Sequence, residues 1–283
     1  MAAASVGTRL VERFATASAT HGKSVARRSR NNSLTSFLLA TSLALVSFGS
    51  SAQTVQPPLS WNDTLFSAVT TSGAVTLSNG GSISNKSITA DGGQASVQCN
   101  GACTITNVRI SSREGLRIGG SGNVTIDKSW IEATGQSGDH ADAIQAYAPG
   151  SKGTVTIKNS SIVAHNNNAT AGLFVADNYT GTFVLENVIF NGGPYGLRIH
   201  PDVGGDQYVS LKDVYFVGPY LYGPYLFSPY GGHVVRFTRW ENVRYATIVN
   251  GALVPGAQIP CPDAANCPAP GTQLPAPLNL RVN

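Results

Sequence analysis

The chain has 283 residues, 12% of them charged and 42% hydrophobic, with 31 Gly, 15 Pro and a single Met. That composition excludes a coiled coil or helical bundle, which needs far more Glu, Lys, Leu and Met, and recurring Val, Ile, Thr and Phe runs exclude a disordered chain. The net charge of +4 is confined to one end: residues 1–52 hold six of the 19 basic groups and one of the 15 acids, so the remainder carries 13 against 14 and offers no basic surface to a nucleic acid.

From the N-terminus, residues 1–52 read as a signal peptide. Lys23 to Arg30 form a basic region, Phe37 to Phe48 an apolar stretch, and Ser50-Ser51-Ala52 a small-residue cleavage site before Gln53. The apolar stretch falls short of the ~20 residues of a membrane span. The expected product is therefore secreted, extracellular or periplasmic, with no membrane span after cleavage; a retained anchor is the alternative. Residues 53–74 are expected to cap the first repeat, residues 75–250 to form a repeat domain, and residues 251–283 to form a disulfide-looped, Pro-rich cap and tail. All four cysteines fall after the leader in two close pairs, Cys99 with Cys103 and Cys261 with Cys267. An even count in an exported chain favours two disulfides, and no zinc-type spacing of His or Cys competes.

Within 75–250 one strand-like phrase recurs, centred on apolar residues 83, 105, 126, 157, 185, 211 and 240, at separations of 22, 21, 31, 28, 26 and 29. A second phrase interleaves with it: Gly115-Leu116-Arg117-Ile118, Ala143-Ile144-Gln145-Ala146, Gly172-Leu173-Phe174-Val175 and Gly196-Leu197-Arg198-Ile199, with a degenerate copy at Pro224-Tyr225-Leu226-Phe227-Ser228. The Leu-x-x-Leu-x-Leu skeleton of a leucine-rich repeat is absent, and the period is too short for a propeller blade of ~40 residues. The reading is an all-β solenoid of seven or more coils, each stacked ~4.8 Å from the next.

This pattern resembles the right-handed parallel β-helix of the pectate-lyase-like superfamily, over about two thirds of the chain. The resemblance implies that the asparagines at 85, 107, 159, 187 and 242 form an internal amide ladder, with Lys128 and Asp213 as interruptions. It also implies a carbohydrate-active protein with a polysaccharide as partner, acting as a monomer.

In the second phrase, strand alternation sends Leu116, Ile144, Leu173, Leu197 and Leu226 inward and Arg117, Gln145, Phe174, Arg198 and Phe227 outward. Glu114, Asp142, Ala171, Tyr195 and Pro224 also face outward, as do Gly119, Tyr147, Ala176, His200 and Pro229. The segment Asp139-His140-Ala141-Asp142-Ala143-Ile144-Gln145 is similar to the His-x-Asp-x-Ile-Gln signature of many β-helix polysaccharide lyases, although a polar turn capping loop amides explains it almost as well. Arg198-Ile199-His200-Pro201-Asp202 forms a second cluster, and Gly-Pro-Tyr phrases with Tyr222 and Tyr230 a third.

Three functions follow. In uronate β-elimination, Arg117 or Arg198 pairs with the substrate carboxylate and His140 or His200 moves the proton, with Asp139 and Asp142 among the catalytic candidates. Glu114, Gln145, Tyr147, Phe174, Asp177, Tyr195 and Asp202 are then expected to bind substrate. In hydrolysis, two of Glu114, Asp139, Asp142 and Asp177 flank the scissile bond. In the third function the same face holds a polysaccharide without cleaving it. No cofactor is fixed by the sequence; Ca²⁺ is admitted through Asp139, Asp142 or Asp177, without a dedicated loop signature. The two outward arginines favour an acidic polymer and so a lyase.

Overall fold

In the computed structural model, every inward position of the first phrase meets its counterpart in the next coil. Ile83, Ile105, Ile126, Ile157, Leu185, Leu211 and Trp240 are consecutive parallel partners. The structure describes residues 55–90, 95–165 and 168–269; the leader at 1–52 and the tail from 270 lie outside them.

The strands are β1 (Thr70–Ser72), β2 (Val75–Leu77), β3 (Gly81–Ala90), β4 (Val97–Asn100), β5 (Cys103–Ser112), β6 (Leu116–Gly119), β7 (Val124–Asp127), β8 (Trp130–Ala133) and β9 (Ala141–Ala146). They continue as β10 (Lys152–Ala164), β11 (Ala169–Val175), β12 (Thr180–Asn191), β13 (Tyr195–Ile199), β14 (Gln207–Val217), β15 (Gly223–Phe227), β16 (Val235–Val249) and β17 (Ala252–Gln258). A ten-stranded sheet runs β1-β3-β5-β7-β10-β12-β14-β16-β17, with β8 between β5 and β10. A seven-stranded sheet runs β2-β4-β6-β9-β11-β13-β15. Each coil gives one long and one short strand, which is a parallel β-helix.

The inward columns are apolar because parallel stacking puts like on like. Ile105, Ile126, Ile157, Leu185 and Leu211 are fully buried, each worth about 1.5–3 kcal/mol on burial. The glycine of the second phrase has a steric cause. A Cβ at Gly172 would stand 2.5 Å from the Gly196 carbonyl oxygen, and one at Gly115 2.3 Å from that of Ala143.

Long strands bend at one left-handed residue per coil, with φ of 56° at Asn85, 52° at Asn107, 47° at Asn159, 58° at Asn187 and 51° at Asn242. Asn tolerates this region because its short amide bonds locally. The Asn107 amide donates to Asn85 (2.7 Å) and that of Asn187 to Asn159 (2.8 Å). Lys128 interrupts the ladder: Asn159 donates to Asp127 Oδ1 (2.8 Å) instead, and Asn107 Oδ1 is left buried without a partner. Asp213 also interrupts: it shares the left-handed bend and accepts from Asn242 (2.6 Å), but a carboxylate has no N–H to pass on to Asn187.

The degenerate fifth copy is shifted by one residue from the expected alignment. Leu197 pairs with Tyr225, Arg198 with Leu226 and Ile199 with Phe227. Phe227 therefore points inward, its ring 4.9 Å from Phe237 and 5.1 Å from Tyr225. Leu226 takes the outward place, and Gly223 and Ser228 replace Pro224 and Pro229 in their columns. This aromatic cluster fills the last coil, where Trp240 also packs on Phe237 at 5.1 Å and donates to the Ile259 carbonyl (2.8 Å). Antiparallel β17 and the Cys261–Cys267 disulfide close that end; the Cys99–Cys103 disulfide sits where β4 turns into β5.

The segment expected to cap the first coil is split in role. β1 and β2 pair with β3 and β4 as an abbreviated coil. Before them, Val55–Phe66 crosses the outside of the long sheet as a strap. Val55 accepts from Asn187 and Pro58 from Ser161. Leu59 packs on Ile189, Val217 and Ala246, and Phe66 on Trp130 and Val163. The Arg109 guanidinium lies 4.5 Å from the Trp61 ring centre and donates to the Trp61 carbonyl (2.8 Å).

Asn159→Ala removes two ladder bonds and forces alanine into the left-handed region, so it should cost about 2–3 kcal/mol. Asn159→Gly should recover only the backbone part. Urea midpoints of the two variants separate the contributions.

Candidate functional site

The outward face of the short sheet carries the sequence candidates in three columns. Arg117, Gln145, Phe174 and Arg198 are consecutive parallel partners, so the arginines stand three coils, or about 14 Å, apart. Asp142, Ala171 and Tyr195 form a second column, and Tyr147, Ala176 and His200 continue the ladder on the other side.

At one end lies a cleft of about 220 Å³, lined by Arg113, Glu114, Arg117, Asp139, His140, Ala141 and Gln145. Its charges are paired internally. Arg117 donates through Nε (2.9 Å) and Nη2 (2.5 Å) to the two oxygens of Glu114 and lies over the Tyr147 ring at 5.0 Å. Burial works against the Arg117 charge, and the Glu114 carboxylate more than offsets it, so its pKa rises. Arg113, which the sequence reading passed over, donates to both oxygens of Asp139, 2.7 Å from Nε to Oδ2. That bond, aided by the Gln136 amide, holds the Asp139 carboxyl below its usual range. His140 is exposed at the rim. The signal for Arg113 was its place immediately before Glu114 at the coil's bend.

Asp142 is not on the surface as expected; it is 0% exposed. Pairing of β9 with β11 slips between Ala169 and Ala171, and at this bulge the Ala171 N–H donates to Asp142 Oδ1 at 2.8 Å. Burial pushes the Asp142 carboxyl well above the usual carboxylate range, opposed by that bond. Asp142 is thus an enclosed structural acceptor with no access to substrate.

Three coils on, Arg198 is half-buried with its guanidinium 4.6 Å from the Phe174 ring centre and 6.0 Å from that of Tyr195. Its Nε is buried without a hydrogen-bond partner. Two residues further on the same side, His200 Nε2 lies 2.7 Å from Asp202 Oδ1, and Asp202 Oδ2 accepts from the Asn178 amide (3.0 Å). The Tyr230 ring stands 5.1 Å from the His200 ring and Tyr222 5.5 Å from Tyr195; both tyrosines are exposed, and their phrase had been singled out in the sequence. Asp177 is exposed in a left-handed turn after β11.

The structure thus brings Glu114, Arg117, Asp139, His140 and Gln145 into one cleft and Phe174, Tyr195, Arg198, His200 and Asp202 into another cluster, with Tyr147 beside Arg117. Calcium does not fit these side chains. Asp139 gives both oxygens to Arg113, Asp142 is enclosed, and among the described residues no three His, Cys, Asp or Glu side chains gather for a metal.

With fold and face in place, the chain falls into a class. A family model of the right-handed β-helix region matches residues 61–207, just over half of the sequence, and the chain belongs to that family. The parallel coils continue beyond this match through β14, β15 and β16. Among curated proteins and solved structures nothing matches the chain.

The Asp142 carboxyl titrates near 3.9 in the unfolded chain and higher in the fold, so folding binds a proton. Its contribution is complete below that unfolded value and is lost as pH rises through the folded one. Asp142→Asn keeps an acceptor for Ala171 and abolishes the titration. The variant's urea midpoint should therefore gain on the parent's as pH rises above about 4.

Proposed function

We propose that the protein is an exported, carbohydrate-active β-helix of the pectate-lyase-like kind, cleaving a uronate-containing polysaccharide by β-elimination. The reading rests on one arrangement: Arg198 has no carboxylate partner among the described residues, and His200, held by Asp202, stands two residues away on the same face. Two disulfides fit an oxidising compartment.

The uronate carboxylate pairs with the Arg198 guanidinium, which raises the acidity of the proton on the carbon bearing it. With its Nε2 proton directed at Asp202, neutral His200 presents Nδ1 as the base. His200 takes the proton, the electron pair forms a ring double bond, and the adjacent carbon–oxygen bond to the next sugar breaks. The departing oxygen takes up a proton, from the imidazolium or from water, and Asp202 stabilises the transient positive ring. Phe174, Tyr195 and Tyr222 offer ring faces for sugars on either side.

Hydrolysis is the weaker reading, because of its four candidate carboxylates Glu114 and Asp139 are each clamped by an arginine and Asp142 is enclosed, which leaves Asp177 as the exposed one. The internal ion pairs of the cleft do support a second reading, a protein that holds the polymer without cutting it.

His200→Ala should lower the rate of unsaturated-uronate formation, followed by ultraviolet absorbance, by about 10²–10⁴-fold. Arg198→Lys should fall nearly as far as Arg198→Ala, because the ammonium keeps the charge and loses the fork. His140→Ala should stay within a few fold of the parent. No absorbance on any acidic polysaccharide, with retention on one of them, would establish the holding protein instead.

A further inference from the structure

Charge along the short-sheet face is unevenly distributed. Outward from the cleft come Arg117 neutralised by Glu114, the amide of Gln145, the ring of Phe174, the guanidinium of Arg198 and the side chain of Leu226. Beside Arg117, the second cleft arginine is neutralised by Asp139. Asp142 is enclosed, with its Oδ1 taken by the Ala171 N–H, and forms no ion pair with Arg198. Among the described residues, Arg198 is thus the cation of this column with no carboxylate partner, in a run of neutral or internally paired positions.

A chain with a carboxylate on every sugar, laid along the coils, would set carboxylates against arginines already taken by Glu114 and Asp139 while satisfying only Arg198. Each such carboxylate would lose hydration without gaining a free guanidinium. A chain with a single acidic sugar among neutral ones meets no such competition. Its carboxylate seats on Arg198, its neutral rings stack on Phe174, Tyr195 and Tyr222, and its hydroxyls bond to Gln145.

Building on the reading that this face takes an acidic polysaccharide, we infer that the substrate is a sparsely charged heteropolysaccharide, one uronate flanked by neutral sugars, and not a homopolyuronate. The test uses the full chain and two oligosaccharides of equal length, one acidic at every unit and one carrying a single internal uronate. Binding is read by intrinsic fluorescence at physiological ionic strength, and elimination by ultraviolet absorbance in parallel.

The singly charged ligand should bind about tenfold more tightly, a difference of ~1.4 kcal/mol. Glu114→Gln and Asp139→Asn keep the side-chain shapes and release the cleft arginines. Each should tighten the fully charged ligand by about three- to tenfold and leave the singly charged one within about twofold, a change in ratio that loss of packing would not produce. Equal or tighter binding of the fully charged ligand to the parent, with that ratio unmoved in both variants, overturns the inference. Elimination on the fully charged chain alone also overturns it and leaves the lyase reading standing. The expected preference without elimination on either ligand sustains the inference and removes the lyase. Binding of neither ligand removes both.

Discussion

Parallel stacking at one strand spacing makes each residue the neighbour of its own counterpart one coil away, and every column must tolerate itself. Apolar side chains do so readily, which is why the inward columns are dominated by Ile, Val and Leu, with Phe and Ala at some coils. At the left-handed corners an amide is the natural solution, being donor and acceptor at once, so that Asn107 bonds Asn85 and Asn187 bonds Asn159 along the axis. An acceptor alone also serves in places, as Asp127 and Asp213 do. The variable coil length is absorbed elsewhere, in the turns between strands.

The same rule governs charge on the outer face. Two arginines on adjacent coils would stand one strand spacing apart and repel, and here an amide and a phenyl ring separate Arg117 from Arg198. Each arginine lies over an aromatic ring, Arg117 over Tyr147 and Arg198 over Phe174, which fixes the guanidinium plane. They differ in electrostatic partner. Arg117 is paired with the Glu114 carboxylate, whereas Arg198 has no carboxylate partner among the described residues; a slip between β9 and β11 turns Asp142 into an enclosed backbone acceptor.

Columns were legible in the sequence wherever two features agreed, an apolar residue and a small or amide residue at a fixed offset. All seven anchors of the long sheet and the Arg117-to-Arg198 column follow from that agreement. It failed at Tyr225-Leu226-Phe227, where three apolar residues in a row leave alternation undetermined and the aromatic core of the last coil sets the register. It failed at Asp142 because a bulge has no periodic signature. Arg113 stood just outside the repeated phrase, and only the folded turn carries Asp139 to it. The strap was illegible as such: Val55–Phe66 has no repeat, and its partners lie up to 132 residues away.

That strap alters how the molecule holds together. A bare solenoid is a one-dimensional stack in which each coil senses only its neighbours and can fray from either end. Here Val55, Pro58 and Leu59 are bound to Asn187, Ser161, Val217 and Ala246, on coils made much later. The strap precedes in the chain the surface that receives it, so it has nothing to dock on until those coils have formed. Once docked it ties early coils to late ones and converts a linear array into a loop that opens as a unit.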